Sequence, residues 1–180
     1  MRVITGKARG KRLYTLEGVA VRPTSEKVKE AVFSVIQFDI EDSTVLDLFA
    51  GSGQLGIEAL SRGAKSAVFV DSSKASLDTV KKNLSLTSLD SSAKTVLSDY
   101  SHYLNRCNEL FDIAFLDPPY SGGVLTDALI RVADIMTDSG IIICEHPKEV
   151  VLPEIAGSFK IYRTYKYGKI NVSIYKKESL

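Results

Sequence analysis

The sequence predicts an α/β protein: a doubly wound, mostly parallel, Rossmann-like sheet with an antiparallel terminal strand and a short N-terminal β-hairpin. Three observations predict it. Short apolar runs alternate with segments whose apolar residues recur at helical spacing. The first long run, Val45-Leu46-Asp47-Leu48-Phe49-Ala50, breaks into the turn Gly51-Ser52-Gly53. Successive runs end in an acidic residue: Asp71, Asp99, Asp117 and Glu145. Continuous apolar strands separated by helices imply a parallel sheet covered on both faces. A chain of 180 residues is long enough for one such three-layer core.

The elements follow in order. Residues 1–14 read as a hairpin, with Arg2-Val3-Ile4-Thr5 and Lys11-Arg12-Leu13-Tyr14 flanking a glycine-containing turn. Thr24 or Ser25 can cap the next helix, on which Val28, Ala31, Val32, Val35 and Ile36 share one face. Strand 44–49 leads through the glycine turn to helix 54–62. Strand 66–70 leads to helix 74–85, and strand 93–97 to a short helix. Strand 112–116 leads to helix 124–136 and then to strand 140–144. The alternation in Lys169-Ile170-Asn171-Val172-Ser173-Ile174-Tyr175 predicts a terminal antiparallel strand or hairpin. The organisation expected is a basic arm over residues 1–22 and one domain over residues 23–180.

Composition narrows the class. Hydrophobic residues make up 44% and charged residues 25%, the balance of a globular chain in water. No apolar run is long enough for a bilayer, and Met1 to Lys7 contains no apolar signal core, so a cytoplasmic protein is expected. Cys107 and Cys144 lack metal-ligand spacing and read as reduced thiols. His102 and His146 are too isolated for a triad, and Ser52 and Ser61 lack a hydrolase elbow. No metal is expected. The net charge of +1 hides an asymmetry: residues 1–29 hold eight cations against Glu17 and Glu26, whereas the remainder holds 15 cations against 20 carboxylates. A first segment of +6 on a remainder of −5 suits a polyanion partner, although charged arms also serve solubility. The cations expected to meet it are Arg2, Lys7, Arg9, Lys11, Arg12 and Arg22, with Thr24 beside them.

The glycine turn is the first candidate site. Glycine tolerates positive φ and lets a ligand approach the backbone, and the first amides of the following helix point into the same space. Asp47, Phe49, Ala50, Gly51, Ser52 and Gly53 are therefore expected to border a nucleoside-bearing ligand. Counted from Gly51, the spacing Gly-x-Gly-x-x-Gly reaches Gly56, which leaves a nicotinamide or flavin cofactor open. Asp71, next to Ser72, lies 20 residues beyond Gly51, the spacing at which a carboxylate accepts ribose hydroxyls. Asp99 and Tyr100 are placed one strand further, where Asp99 or the Tyr100 amide can meet an adenine. Asp71 and Asp99 also read as helix caps.

Asp117-Pro118-Pro119-Tyr120 is the sharper motif. Two prolines stop the strand and stiffen the loop, because each fixes φ and has no N–H. Asp117 and the Pro118 carbonyl supply two acceptors, and Tyr120 supplies a flat face. That combination suits a planar group bearing an NH2.

Together, Asp47-Leu48-Phe49-Ala50-Gly51-Ser52-Gly53 and Asp117-Pro118-Pro119-Tyr120 resemble the class I S-adenosylmethionine-dependent amino-methyltransferases. The likeness is to the RsmD type, which methylates guanine N2 in small-subunit (16S) ribosomal RNA, and it runs nearly the whole length. It includes Arg2-Val3-Ile4-Thr5-Gly6, Arg22-Pro23-Thr24, Leu55-Gly56-Ile57-Glu58-Ala59-Leu60-Ser61-Arg62-Gly63-Ala64 and Tyr167-Gly168-Lys169. Two positions depart from the pattern: Gln54 stands where a small residue is expected, and Asp71 where glutamate is frequent. The resemblance implies a Rossmann-like methyltransferase sheet, S-adenosylmethionine as cofactor and Asp117, Pro118 and Tyr120 as the catalytic set. It also implies ribosomal RNA or a partly assembled 30S particle as partner, with a monomer sufficing. Alternatives in view are a DNA amino-methyltransferase, a protein-glutamine methyltransferase (which carries Asn in place of Asp117) and a non-catalytic RNA-binding or assembly factor.

Overall fold

The computed structural model describes residues 1–16, 26–119 and 123–177. Arg22, Thr24 and Tyr120 lie outside the described residues. The elements, in chain order, are α1 (Glu26–Val35), β1 (Thr44–Asp47), α2 (Gln54–Ser61), β2 (Ser66–Asp71), α3 (Lys74–Thr87), β3 (Ala93–Leu97) and α4 (Tyr100–Arg106). They continue as β4 (Phe111–Leu116), α5 (Val124–Val132), β5 (Met136–Pro147), β6 (Ile155–Ala156), β7 (Phe159–Tyr167) and β8 (Ile170–Lys177). One eight-stranded sheet runs in the order β3-β2-β1-β4-β5-β8-β7-β6. Strands β1 to β5 pair in parallel, and β8, β7 and β6 add antiparallel. The order reverses beside β1, so β1 and β4 flank the topological switch point where open sheets bind ligands.

Alternation along the strands divides the core. Val45, Phe69, Ile113, Phe115 and Ile143 face a cluster that includes residues of α1, α2 and α3. Leu46, Leu48, Val70, Ala114 and Ile142 face the other side, against Leu104 of α4 and Leu125, Ala128 and Leu129 of α5. This is the doubly wound arrangement expected from the sequence.

Most element bounds shift by one or two residues, and the larger differences lie in the second half of the sheet. Helix 124–136 ends at Val132, a short 3₁₀ turn spans Ala133–Ile135, and β5 begins at Met136. Ile135 and Met136 are buried and extend the apolar periodicity, but Met136 pairs with Phe111 in the sheet. Strand β5 is accordingly far longer than 140–144, and its register against β4 shifts between Phe111 and Ile113. Strand β7 had no clear signal, because of its nine residues only Phe159 is fully buried.

The N-terminal hairpin contracts to one antiparallel bridge, Arg2 with Arg12. Its middle is drawn onto α2 instead. Ile4 N and Thr5 N donate to the Glu58 carboxylate at 2.8 and 3.0 Å. Lys7 N donates to Ser61 O, and Ala8 N donates to Ser61 Oγ. A Cβ at Gly6 would stand 1.7 Å from Ser61 O, so only glycine permits that approach. Val3, Ala8 and Leu13 join the same core cluster as α1, α2 and α3. Among the described residues no helix is long and apolar enough to cross a membrane.

Candidate active site

The turn after β1 is held from behind by side chains. Asp47, 3% exposed, accepts from Gly56 N at 3.0 Å. Burial pushes its carboxyl up to about 7, the Gly56 N–H opposes that, and the nearby Asp71 charge adds to it. Gly53 has a left-handed φ of 78° and donates to Ala50 O at 2.7 Å. Gly51 also has positive φ, 54°, and a Cβ there would meet nothing within 4 Å. The turn thus opens outward onto free space, next to the first amides of α2, which have no intrahelical acceptor.

Asp71 holds two main-chain amides. One carboxylate oxygen accepts from Gly51 N at 2.9 Å and the other from Ser73 N at 2.8 Å. It therefore ties the turn to the end of β2 while remaining partly exposed beside the exposed Ser72. Ionised carboxylates have about four acceptor positions, so these two bonds leave acceptor capacity toward a ligand. Ser73, not Asp71, is the N-cap of α3. Asp99 is the N-cap of α4 and accepts from Ser101 N at 2.9 Å, the cap role. Tyr100 stacks obliquely on Phe49, with ring centroids 5.4 Å apart, and donates its hydroxyl to Asp127 Oδ2 at 3.0 Å. The Phe49–Tyr100 pair is an aromatic wall between β1 and α4.

Asp117 follows the end of β4, with Pro118 buried and Pro119 exposed. Asp117 and Glu145 line one crevice together with Val32, Leu55, Ile143 and Val172. Leu55 belongs to the first turn of α2, so the crevice adjoins the glycine turn. Glu145 was visible in the sequence only as one more strand-end acid; the β4–β5 pairing brings it to the side of Asp117. Gln54, next to Leu55, is buried, and its Oε1 has no hydrogen-bond partner. A buried acceptor left without a partner beside an open turn is a place for a ligand donor.

Of the arm cations, Arg2, Lys7, Arg9, Lys11 and Arg12 are exposed. Arg2 donates to Glu26 at 3.2 Å, and Arg2 and Arg9 border a polar cavity with Glu26 and Glu30. Lys29, counted with the arm, is fully buried. Its ammonium donates to Arg2 O at 2.7 Å and pairs with Glu58 at 3.2 Å. Burial pushes the Lys29 pKa down, and Glu58 offsets part of that. Arg62 completes the network, 2.8 Å from Glu58. His146 is also structural: its ring bonds Ser173 Oγ and Pro147 O within the sheet.

Residues 1–176 match the family described as Conserved hypothetical protein 95. The chain belongs to this family. Among its relatives, Ribosomal RNA small subunit methyltransferase D of Escherichia coli (strain K12) is 32% identical over 181 residues, covering 99% of this chain and 91% of that one. YlbH of Bacillus subtilis (strain 168) is 41% identical over 183 residues, covering 98% of this chain and 99% of that one. The solved structure of yhhF from Escherichia coli superposes with a TM-score of 0.89 at 32% identity, covering 100% and 99% of the two chains. A Thermus thermophilus 16S rRNA N2 G1207 methyltransferase, solved with AdoMet and guanosine, superposes at 0.73 with 25% identity. It matches 91% of this chain over 45% of its own length. The fold is therefore the Rossmann-like methyltransferase fold, and the family read from the motifs is the family found.

Proposed function

We propose that the protein methylates the exocyclic N2 of a guanine in small-subunit ribosomal RNA with S-adenosylmethionine as methyl donor. The observation that carries this reading is one of adjacency. Strands β1 and β4 are paired neighbours at the switch point, and the crevice beside Asp117 begins at Leu55, two residues past the glycine turn. The relatives named for small-subunit ribosomal RNA methylation support the substrate class.

The residues fit the cofactor. Gly51 leaves the front of the turn open where α2 begins, Asp71 retains acceptor capacity, and Gln54 Oε1 is a buried acceptor awaiting a donor. Phe49 and Tyr100 supply an aromatic wall for a flat base. S-adenosylmethionine supplies an electrophilic methyl group carried on a sulfonium. In this reading Asp117 and the Pro118 carbonyl accept hydrogen bonds from the two N2–H groups of the guanine, and both protons stay on nitrogen until the methyl group has transferred. That draws the nitrogen toward a pyramidal form with an available lone pair. Tyr120 stacks on the base. After transfer the methylated nitrogen is acidic and loses a proton to Asp117 or water. Most of the rate gain comes from orientation and fixed dipoles. The base has to leave its stack to reach Asp117. The exposed cations Arg2, Lys7, Arg9, Lys11 and Arg12, with Arg22 and Thr24 beyond the described residues, hold the surrounding phosphates.

The test is incubation of the protein with methyl-labelled S-adenosylmethionine and unmethylated small-subunit particles, followed by digestion of the RNA to nucleosides. Label in N2-methylguanosine is expected. Label in another nucleoside overturns the guanine assignment. No label from a protein that binds the cofactor overturns the catalytic reading in favour of an RNA-binding factor.

A further inference from the structure

Asn83 is a fully buried polar residue in the middle of α3. It was not singled out in the sequence, where it reads as an ordinary helical residue. Its side chain makes three hydrogen bonds to two distant parts of the main chain. Oδ1 accepts from Tyr14 N at 2.8 Å. Nδ2 donates to Tyr14 O at 3.0 Å and to Ser52 O at 2.9 Å. Tyr14 ends the basic N-terminal segment, two residues after Arg12. Ser52 is the centre of the glycine turn.

We propose that Asn83 is a positioning residue that couples RNA binding by the N-terminal segment to cofactor binding at the glycine turn. The proposal deepens the function given above and rests on it. Only a primary amide satisfies the three partners at once, since it offers one acceptor and two protons in a plane. Aspartate has the acceptor and no donor, and serine is too short to bridge both segments. Asn83 is fully buried and its three bonds are partly so, which leaves the amide few replacement partners when one bond opens. Displacement of Tyr14 therefore leaves the amide free to turn, and Ser52 O loses its donor.

A second anchorage makes the link stiff. Thr5 and Ala8 are bonded to Glu58 and Ser61 of α2, the helix that starts at the same turn. The segment is thus fastened to both helices that flank the cofactor turn, by α2 through its first half and by α3 through Tyr14. A ligand that orders either end reduces the ordering cost left for the other. Such coupling is reciprocal: each ligand tightens the other by the same factor.

The experiment uses the full chain, S-adenosylhomocysteine (which cannot turn over) and unmethylated small-subunit particles. The Kd for S-adenosylhomocysteine is measured with and without saturating particles, and the Kd for particles with and without S-adenosylhomocysteine. In the unaltered protein both should tighten by one common factor of about fivefold or more. Asn83→Asp keeps the size and the acceptor for Tyr14 N but removes both donors. It should bring the common factor below about twofold, with each ligand alone still bound. Tyr14→Pro deletes the N–H of Tyr14 and leaves Asn83 and Ser52 intact, and it should show the same loss of coupling with cofactor affinity near that of the unaltered protein. A factor of one in the unaltered protein overturns the proposal, whether or not either variant folds. So does a full factor retained in both variants. Independent binding of both ligands leaves the proposed function standing, whereas failure of the protein to bind particles at all sinks that function and the coupling together.

Discussion

The turn after β1 and the loop after β4 leave paired neighbouring strands at the same edge, yet they are stiffened by opposite means. The glycine turn is intrinsically loose and is fixed from behind. Asp71 holds Gly51 N, Asp47 holds Gly56 N, and Asn83 holds Ser52 O. The loop that opens with Asp117 is stiff by covalent structure, since Pro118 and Pro119 fix their own φ. The difference follows from what each presents. A turn that lets a ligand approach its backbone needs glycine there and borrows rigidity from other elements. A loop that offers a carboxylate and a carbonyl needs no amide and takes its rigidity from proline.

The largest expected effect separates the two outright. Asp117→Ala should lower methyl transfer at least ten-thousand-fold, about 5 kcal/mol of transition-state free energy, while S-adenosylhomocysteine affinity stays within a few-fold. Parallel single-turnover and titration measurements check it. Loss of both together would break the comparison and make Asp117 part of the support for the turn.

The next effect concerns support by a buried acid. Burial raises the Asp47 carboxyl from 3.8 to about 7. A raised pKa means that the folded state prefers the neutral acid. Its contribution is therefore fully present below pH 4 and lost as pH climbs through 7. The gap between the unaltered protein and Asp47→Asn should shift against the unaltered protein by about 4 kcal/mol from pH 4 to pH 8. Urea unfolding at several pH values measures it, and a pH-independent gap would refute it.

The buried latch beneath the arm comes third. Glu58→Gln leaves the fully buried Lys29 without its charge partner and should cost about 3 kcal/mol in urea stability. Exposed pairs such as Lys74–Asp78 lack that burial, and breaking one should leave the urea midpoint almost unmoved. The smallest effect sharpens the account of the turn itself. Gly51→Ala places a Cβ at positive φ, a strain of about 1–2 kcal/mol, and projects it into the open front. Cofactor affinity should fall by about tenfold with little change in fold, as titration and circular dichroism would show.

What could be read in the chain differs between the scaffold and the site. The runs that became β1, β2, β4 and the core of β5 were legible because each is a local apolar stretch bounded by glycine, proline or an acid. The 3₁₀ turn at Ala133–Ile135 was not, because Ile135 and Met136 keep the helical apolar spacing while their backbone has left the helix. Strand β7 was faint because it lies near the sheet edge, with Tyr162 and Arg163 facing water.

The sequence by itself determined the fold class, the glycine turn, the Pro-Pro loop and the 20-residue interval from Gly51 to Asp71. These are local features, set by residue type and by spacings within one βαβ unit. Only the tertiary structure decided that Asp71 clasps the Gly51 amide, that Glu145 joins Asp117, and that Asn83 ties Tyr14 to Ser52. Lys29 is the plainest case. In the chain it is one more cation of a basic arm; in the fold it is buried, because Glu58, 29 residues later, faces it across the α1–α2 contact. A charge enters a core only when an opposite charge arrives with it. That meeting depends on which strands pair and which helices cover them, and no window of sequence around either residue contains it.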